Sequence, residues 1–332
     1  MASTGRPLSI RRLVIIAVIL SLAGGMMYLQ VIGSDLTNPR ANFWRVVRDG
    51  VPAYTSTPGD GHTVLIQNSG ENWREIRNGL IVRISPWIIV MALIGMAAFY
   101  LLVGPEKLEK PRTGIKIIRF TLFERIVHWV TAGLFIIMAV TGLSLLLGRY
   151  LFIPLFGHGL TAGYMQAAKV LHNYCGPLLL VGFLVEFVLW VRFNIPKKYD
   201  LQWFKSMGGM IGHGPRPHIG KTNAGEKGWF WLIFIFGSAV GVTGVLMDFP
   251  VWDQTRFTMQ VSHAIHTIVA VLFVTVSFGH IYMGTLGVEG AFEAMWEGSV
   301  DAVWAEQNHD LWYEDVMSKQ GNKPETPPSE ER

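Results

Sequence analysis

The sequence predicts an all-α integral membrane protein, and three observations carry that expectation. Of 332 residues, 50% are hydrophobic and 16% charged, where a soluble domain carries about 25% charged residues. Six apolar runs are long enough to cross a hydrocarbon core of roughly 30 Å, which takes about 20 residues each. These runs are continuous, whereas a transmembrane barrel would show segments of alternating polarity. The composition also excludes a disordered chain, an ordinary nucleic-acid binder and a collagen-like chain. Cys175 is the single cysteine, so a disulfide scaffold, a Cys-ligated iron–sulfur cluster, a Cys-based zinc site and covalently attached c-type haem are all excluded.

The six runs are Leu13–Gly33, Ile84–Val103, Ile126–Leu147, Val170–Val191, Trp229–Met247 and Ser262–Leu286. Residues 1–33 form an N-terminal transmembrane helix or a signal peptide, since Arg6, Arg11 and Arg12 precede the apolar run but no clear cleavage site follows it. Residues 34–83 then form a periplasmic segment, and 84–103 a further transmembrane helix. Residues 114–288 hold the remaining four helices, and 289–332 form an acidic cytoplasmic tail whose last dozen residues read as disordered.

Lys and Arg accumulate in cytoplasmic connections. Lys107, Lys110, Arg112, Lys116 and Arg119 lie in 104–124, and six more basic residues lie in 193–228. The segments 148–168 and 248–261 carry only Arg149 and Arg256. The first two connections are therefore expected in the cytoplasm. The formal charge of +4 joins a basic body to an acidic tail, and the topology rule accounts for the basic excess without an acidic partner.

Of the ten histidines, His62, His158, His213, His218 and His309 lie in connections or the tail and read as solvated. His128, His172, His266 and His280 lie inside predicted helices, where an ionisable group is a functional candidate. His266 and His280 are 14 residues apart on the last helix. Fourteen steps of 100° end about 40° short of four turns, so both occupy one side, roughly 21 Å apart along the axis. His128 begins its helix from the cytoplasm and His172 begins its own from the periplasm. Depth thus pairs His128 with His280 and His172 with His266. Two imidazoles at one depth are what a bis-His haem iron needs, without cysteine, as in a b-type cytochrome. Zinc or copper would call for further ligands near in sequence. Gly133, Gly142, Gly176, Gly182, Gly237, Gly241 and Gly244 leave room for a macrocycle or serve ordinary close helix packing. His263, three residues before His266, either contacts a haem propionate or sits at the interface. Glu186, 14 residues beyond His172, serves proton uptake or a propionate, or is a helix-end residue paired near Arg192.

The blocks Phe123-Glu-Arg-Ile-Val-His128-Trp129, Val170-Leu-His172-Asn-Tyr-Cys-Gly176, Asn223-Ala-Gly-Glu226-Lys227 and His266 to His280-Ile-Tyr-Met283 together resemble the γ subunit of respiratory formate dehydrogenase, a membrane cytochrome b. The resemblance spans about residues 114–318. Residues 34–83 are similar to longer members with an N-terminal membrane extension. It implies a four-helix di-haem cytochrome b bundle plus one or two N-terminal transmembrane helices, in a bacterial inner membrane. His128 and His280 would ligate the cytoplasmic-side haem, and His172 and His266 the periplasmic-side one. The resemblance also implies quinone reduction near the cytoplasmic-side haem, at Asn223, Gly225 and Glu226 beside His280, with menaquinone or ubiquinone as acceptor. Related members often have Gln in place of Glu226; an acid there could relay protons. From the residues alone, the same turn reads as an N-cap by Asn223 with a polar start to the helix.

The implied partners are an iron–sulfur β subunit and a molybdenum- or tungsten-containing α subunit that oxidises formate, besides membrane lipid and quinone. The chain is then the quinone-reducing electron-transfer subunit, with no residue catalysing formate oxidation and no nucleic-acid partner. The cytochrome b of a hydrogenase or of a thiosulfate or polysulfide reductase is the alternative. A non-redox membrane anchor or transporter is a second one.

Overall fold

The computed structural model of the chain describes residues 72–206, 208 and 217–321. The predicted helix at 13–33, all but the last dozen residues of 34–83, and residues 322–332 lie outside that range. The described residues are mostly helical, and four helices are long and apolar enough to cross a membrane. Their outward faces carry exposed Val130, Val140, Val181, Val188, Ile235 and Val242, a surface suited to lipid and costly in water.

The first, α1, spans Asn72–Leu102 and starts a dozen residues before the predicted run. Arg74, Glu75, Arg77 and Arg83 make that start look like a connection on a hydropathy count, but a helix needs only its backbone bonds. Glu75–Ile81 is π-helical and Val82–Leu102 α-helical. Pro86 supplies no N–H to the ladder, and the Ser85 hydroxyl donates to the Ile81 carbonyl at 2.6 Å.

The second apolar helical run, Leu122–Phe193, has 72 residues. At 1.5 Å per residue it would be about 108 Å long, over three times the hydrocarbon core. Gly157, with φ 71° and ψ 176°, divides it into α2 (122–156) and α3 (158–190). A side chain in that left-handed conformation would be strained. The expected connection at 148–168 is therefore helical on both sides of one glycine. Ser144 Oγ and Tyr164 Oη, 2.8 Å apart, tie the two arms together. Thr121 caps α2, its hydroxyl accepting from the Glu124 N–H while the Glu124 carboxylate accepts from the Thr121 N–H, a capping box. Next come α4 (Asp200–Lys205), α5 (Ala224–Asp248) and α6 (Arg256–Tyr282).

Two compact units share the described residues, one comprising 72–97, 136–177 and 239–275, the other 98–135, 178–238 and 276–321. The first has a buried apolar cluster of Ile81, Val82, Leu146, Leu147 and Val271. In the second, β1 (Lys116–Ile118) pairs antiparallel with β2 (Ser299–Asp301), flanked by α7 (Ala291–Trp296), α8 (Ala302–Asn308) and α9 (Asp310–Gly321). Ile117, Ala294, Val300, Ala302, Trp304, Ala305 and Trp312 bury one another there. The acidic stretch after residue 288 thus has a core of its own as far as residue 321. Asp301 caps α8 through the Val303 N–H. Burial would lift its carboxyl, but the N–H groups of Val303, Gly114 and Thr113 hold it below the usual carboxylate range.

One expectation about charge is corrected. The basic connection does have acidic partners, and they come from the C-terminal stretch. Lys110 pairs with Glu306 at 3.2 Å, Arg112 with Glu293 at 2.6 Å, and Lys116 with Glu297 at 3.0 Å. The hydrogen bonds raise Arg112 and Lys116 above their ordinary values. These pairs are exposed, so each contributes about 1 kcal/mol or less; the apolar cluster beneath them stabilises this region more.

Candidate functional site

The four helical histidines come together as two pairs, one in each unit. In the first unit, the His172 and His266 rings have centroids 6.1 Å apart. In the second, His128 and His280 lie 6.3 Å apart. Each pairing is the one that depth along the helices predicts.

Those separations suit one metal ion between two imidazoles. A metal–imidazole nitrogen bond is about 2 Å long, and the nitrogen lies about 1.1 Å from its ring centre, so two rings on opposite sides of one ion have centres about 6.2 Å apart. Among the described residues no group of three or more His, Cys, Asp or Glu could hold a metal. A haem macrocycle could supply the remaining ligands of an iron held by either pair.

The tautomers of the first pair support the same use. Thr141 Oγ1 donates to the Ile137 carbonyl at 2.7 Å and so faces His172 Nδ1, 2.9 Å away, with a lone pair. His172 Nδ1 therefore carries the hydrogen. Thr243 repeats the arrangement, donating to the Ala239 carbonyl at 2.6 Å and accepting from His266 Nδ1 at 3.1 Å. The Val240 carbonyl, 3.0 Å from the same nitrogen, can only accept, so His266 Nδ1 must also be protonated. Both Nε2 atoms are left with free lone pairs, the state a metal-bound imidazole takes when its other nitrogen is hydrogen-bonded. A Cβ on Gly142 would lie 3.0 Å from His172 Cε1, and one on Gly244 would lie 3.3 Å from His266 Cε1. These two glycines let α2 and α5 approach the rings.

The second pair has aromatic surroundings. Trp229 stacks on His280 with centroids 4.7 Å apart and planes 12° apart. Trp129 meets His128 edge-on at 5.2 Å, and Trp190 lies 6.5 Å from it. Trp190 is held by donating Nε1–H to Glu124 Oε1 at 3.0 Å, so the capping box of α2 also positions this wall. His128 Nδ1 is buried with no partner among the described residues. Of the remaining expected small residues in this unit, Gly182 packs on Thr131 and Gly237 on Phe183, which is close helix packing.

Asn223, Gly225 and Glu226 form the turn that starts α5. Asn223 Oδ1 accepts from the Glu226 N–H at 2.8 Å, and Glu226 Oε2 accepts from the Asn223 N–H at 2.8 Å. Glu226 Oε1 accepts from Arg119 Nη2 at 2.8 Å, and a Cβ on Gly225 would lie 2.7 Å from the Trp203 ring. The next residue, Lys227, makes a buried ion pair with Asp200 at 2.8 Å. The turn is thus fixed on three sides, one helical turn before Trp229. Glu186 is 6% exposed and hydrogen-bonded to Thr131; among the described residues it forms no ion pair with Arg192.

A match to the family described as prokaryotic cytochrome b561 covers residues 119–298, which include both histidine pairs. The chain belongs to the prokaryotic cytochrome b561 family. Membership in this cytochrome family implies haem b. The formate dehydrogenase cytochrome b556(fdo) subunit of Escherichia coli K12 is 31% identical over 211 residues, covering 63% of this chain and 97% of that one. The nitrate-inducible formate dehydrogenase cytochrome b556(Fdn) subunit of the same strain is 30% identical over 212 residues, 62% of this chain and 94% of its own. The formate dehydrogenase cytochrome b556 subunit of Haemophilus influenzae Rd is 30% identical over 215 residues, 61% of this chain and 85% of its own.

Three residues of this cytochrome b do more than their sequence context suggests. Thr141 and Thr243 orient two of the candidate ligands. Their sequence signal is a Val-Thr-Gly triplet at 140–142 and again at 242–244, each on the helix that precedes its histidine's helix. His309, expected to be solvated, is 1% exposed. Its Nδ1–H donates to the Gly220 carbonyl at 2.8 Å, and its Nε2 lies 4.0 Å from Glu226 Oε2. Burial pushes its pKa down to about 4, and the Arg119 charge adds to the shift. His158 and His218 are exposed as expected; His62 and His213 lie outside the described residues.

Proposed function

We propose that this chain is the cytochrome b subunit of a formate dehydrogenase complex in a bacterial inner membrane, carrying electrons from an iron–sulfur partner to quinone. The observation that carries the reading is the spacing of two imidazole pairs at 6.1 and 6.3 Å. The formate dehydrogenase relatives, matched over nearly their whole length, supply the class of complex. Two b haems, when bound, would supply one-electron carriers between the partner and a two-electron quinone acceptor.

The residues of this chain do the rest. His172 and His266 would hold the periplasmic-side haem iron through Nε2, with Thr141 and Thr243 keeping each ring in the ligating tautomer. His128 and His280 would hold the cytoplasmic-side iron, and the stacked Trp229 restrains the His280 ring. Asn223, Gly225 and Glu226 would hold the quinone head beside His280. Arg119 and the C-terminal stretch keep that turn in place, so it can offer fixed polar groups to a carbonyl oxygen without reorganising. Glu186, buried beside Thr131, is assigned to proton uptake, and Glu186→Gln should slow quinone reduction while leaving haem content unchanged.

Purification of the intact complex tests the reading. It should carry an iron–sulfur subunit and a molybdenum or tungsten subunit, and formate should reduce its b-type absorption bands. Bands that respond to hydrogen or a sulfur oxyanion and not to formate would assign the chain to the alternative complexes. Absence of b-type bands would leave only a non-redox anchor.

A further inference from the structure

We infer that Trp73, His263 and Arg77 form a carboxylate site that holds a propionate of the haem carried by His172 and His266. The inference rests on the haem reading of that pair and extends it to His263 and to Trp73 and Arg77, the last two outside the family match at 119–298. Trp73 and Arg77 lie near the start of α1, and His263 lies on α6, three residues before His266. All belong to the same unit as the pair.

The observations are local. The Trp73 and His263 rings meet edge to face with centroids 5.4 Å apart. Trp73 Nε1 and His263 Nδ1 are both buried, and neither has a hydrogen-bond partner among the described residues. Indole N–H can only donate. Buried ring nitrogens without partners on two neighbouring rings are uncommon, because buried polar groups are ordinarily satisfied. Arg77, whose Nη1 donates to Asn78 Oδ1 at 2.7 Å, lies within electrostatic reach of the His263 ring. One acceptor bearing negative charge would satisfy both nitrogens and the guanidinium together, and a carboxylate has the lone pairs to do so.

Position selects the source. Three residues correspond to about 4.5 Å of rise and a rotation of about 60° on one helix. His263 therefore lies within one helical turn of His266, close enough that a carboxylate substituent of a haem held by His172 and His266 could reach it. A lipid phosphate shares the anionic chemistry, but it would have no reason to act on one haem. The start of α1 would then be part of a haem site, and Trp73 and Arg77 would contribute to its redox tuning.

The test uses the intact complex carrying Trp73→Phe, His263→Phe, Arg77→Gln or Arg77→Lys, with optical redox titration of both haems. Loss of the donors leaves a propionate charge less compensated, which favours the ferric state. Expected in each of the first three variants is a shift of about tenfold toward oxidation in one haem, about 59 mV for one electron. The other haem should stay within twofold, Arg77→Lys should keep most of the wild-type equilibrium, and His172→Ala should remove the haem that shifts. If either phenylalanine variant fails to accumulate, Arg77→Gln reads the same carboxylate through charge alone. Two haems that both stay within twofold in Arg77→Gln, or that shift together, overturn the site, leaving water or lipid as the partner of these nitrogens. If His172→Ala leaves haem content unchanged, it is the haem reading of that pair that fails.

Discussion

The two histidine pairs have nearly equal ring separations and unlike surroundings. His172 and His266 each donate from Nδ1 to a threonine oxygen, and His266 also to a backbone carbonyl. His128 has no acceptor at Nδ1 among the described residues, and tryptophans 129, 190 and 229 surround its pair. A hydrogen bond from the distal nitrogen raises the basicity of the ligating one, which favours ferric iron. Aromatic walls and an unpaired Nδ1 favour the ferrous state. The same ligand set should therefore give a lower potential at His172/His266 than at His128/His280. That order would be downhill for the proposed route, from an iron–sulfur partner through the first pair to quinone near the second.

The pairs can be driven apart most strongly by acid. His309 is neutral in the fold because burial and Arg119 lower its pKa to about 4. A depressed histidine makes the unfolded state bind more protons between about pH 6.5 and pH 4, so its stabilisation is complete above about 6.5 and is lost as pH falls toward 4. The loss would be about 3 kcal/mol over that window. Proteolysis of the C-terminal stretch should accelerate across it in the wild type, and the Trp-lined pair should respond spectroscopically while the Thr-held pair stays unchanged. In His309→Asn the acid dependence of proteolysis should flatten.

A smaller change tests the threonines. Thr141→Val removes the acceptor of His172 Nδ1 and keeps the shape, so the haem of that pair should shift about tenfold toward reduction, about 59 mV, narrowing the gap between the two. Thr243→Val, which leaves His266 Nδ1 the Val240 carbonyl, should shift it less. Redox titration checks it. The mildest change is Trp229→Leu, which removes the stack on His280. It should move only the second haem, by about threefold or less, and broaden its low-temperature absorption band as the ring loses its fixed orientation.

Much of this was legible in the sequence, for a physical reason. Histidine is rare at membrane depth, and a 14-residue spacing on one helix sets both side and separation, so His128, His172, His266 and His280 could be paired without contacts. The Asn223–Glu226 cap was legible too, because a cap is local. Thr141 and Thr243 were not singled out, because each acts on a histidine 31 or 23 residues away, and threonine commonly bonds its own helix carbonyls. His309 was misread because the acidic composition around it resembles a solvated tail. Its burial comes from Trp304 and Trp312, whose rings lie 5.1 and 6.2 Å from it, and from Gly220 across 89 residues. The pairing of basic and acidic segments was missed because topology alone sufficed to explain the positive charges.

Everything proposed for this chain depends on each pair holding its own haem. Haem-to-protein ratios for the wild type, His172→Ala and His280→Ala in the purified complex decide it. Two haems are expected in the wild type and one in each variant, with the surviving haem of His172→Ala at higher potential than that of His280→Ala. A wild-type ratio near one, or the same surviving haem in both variants, would contradict the two-haem reading.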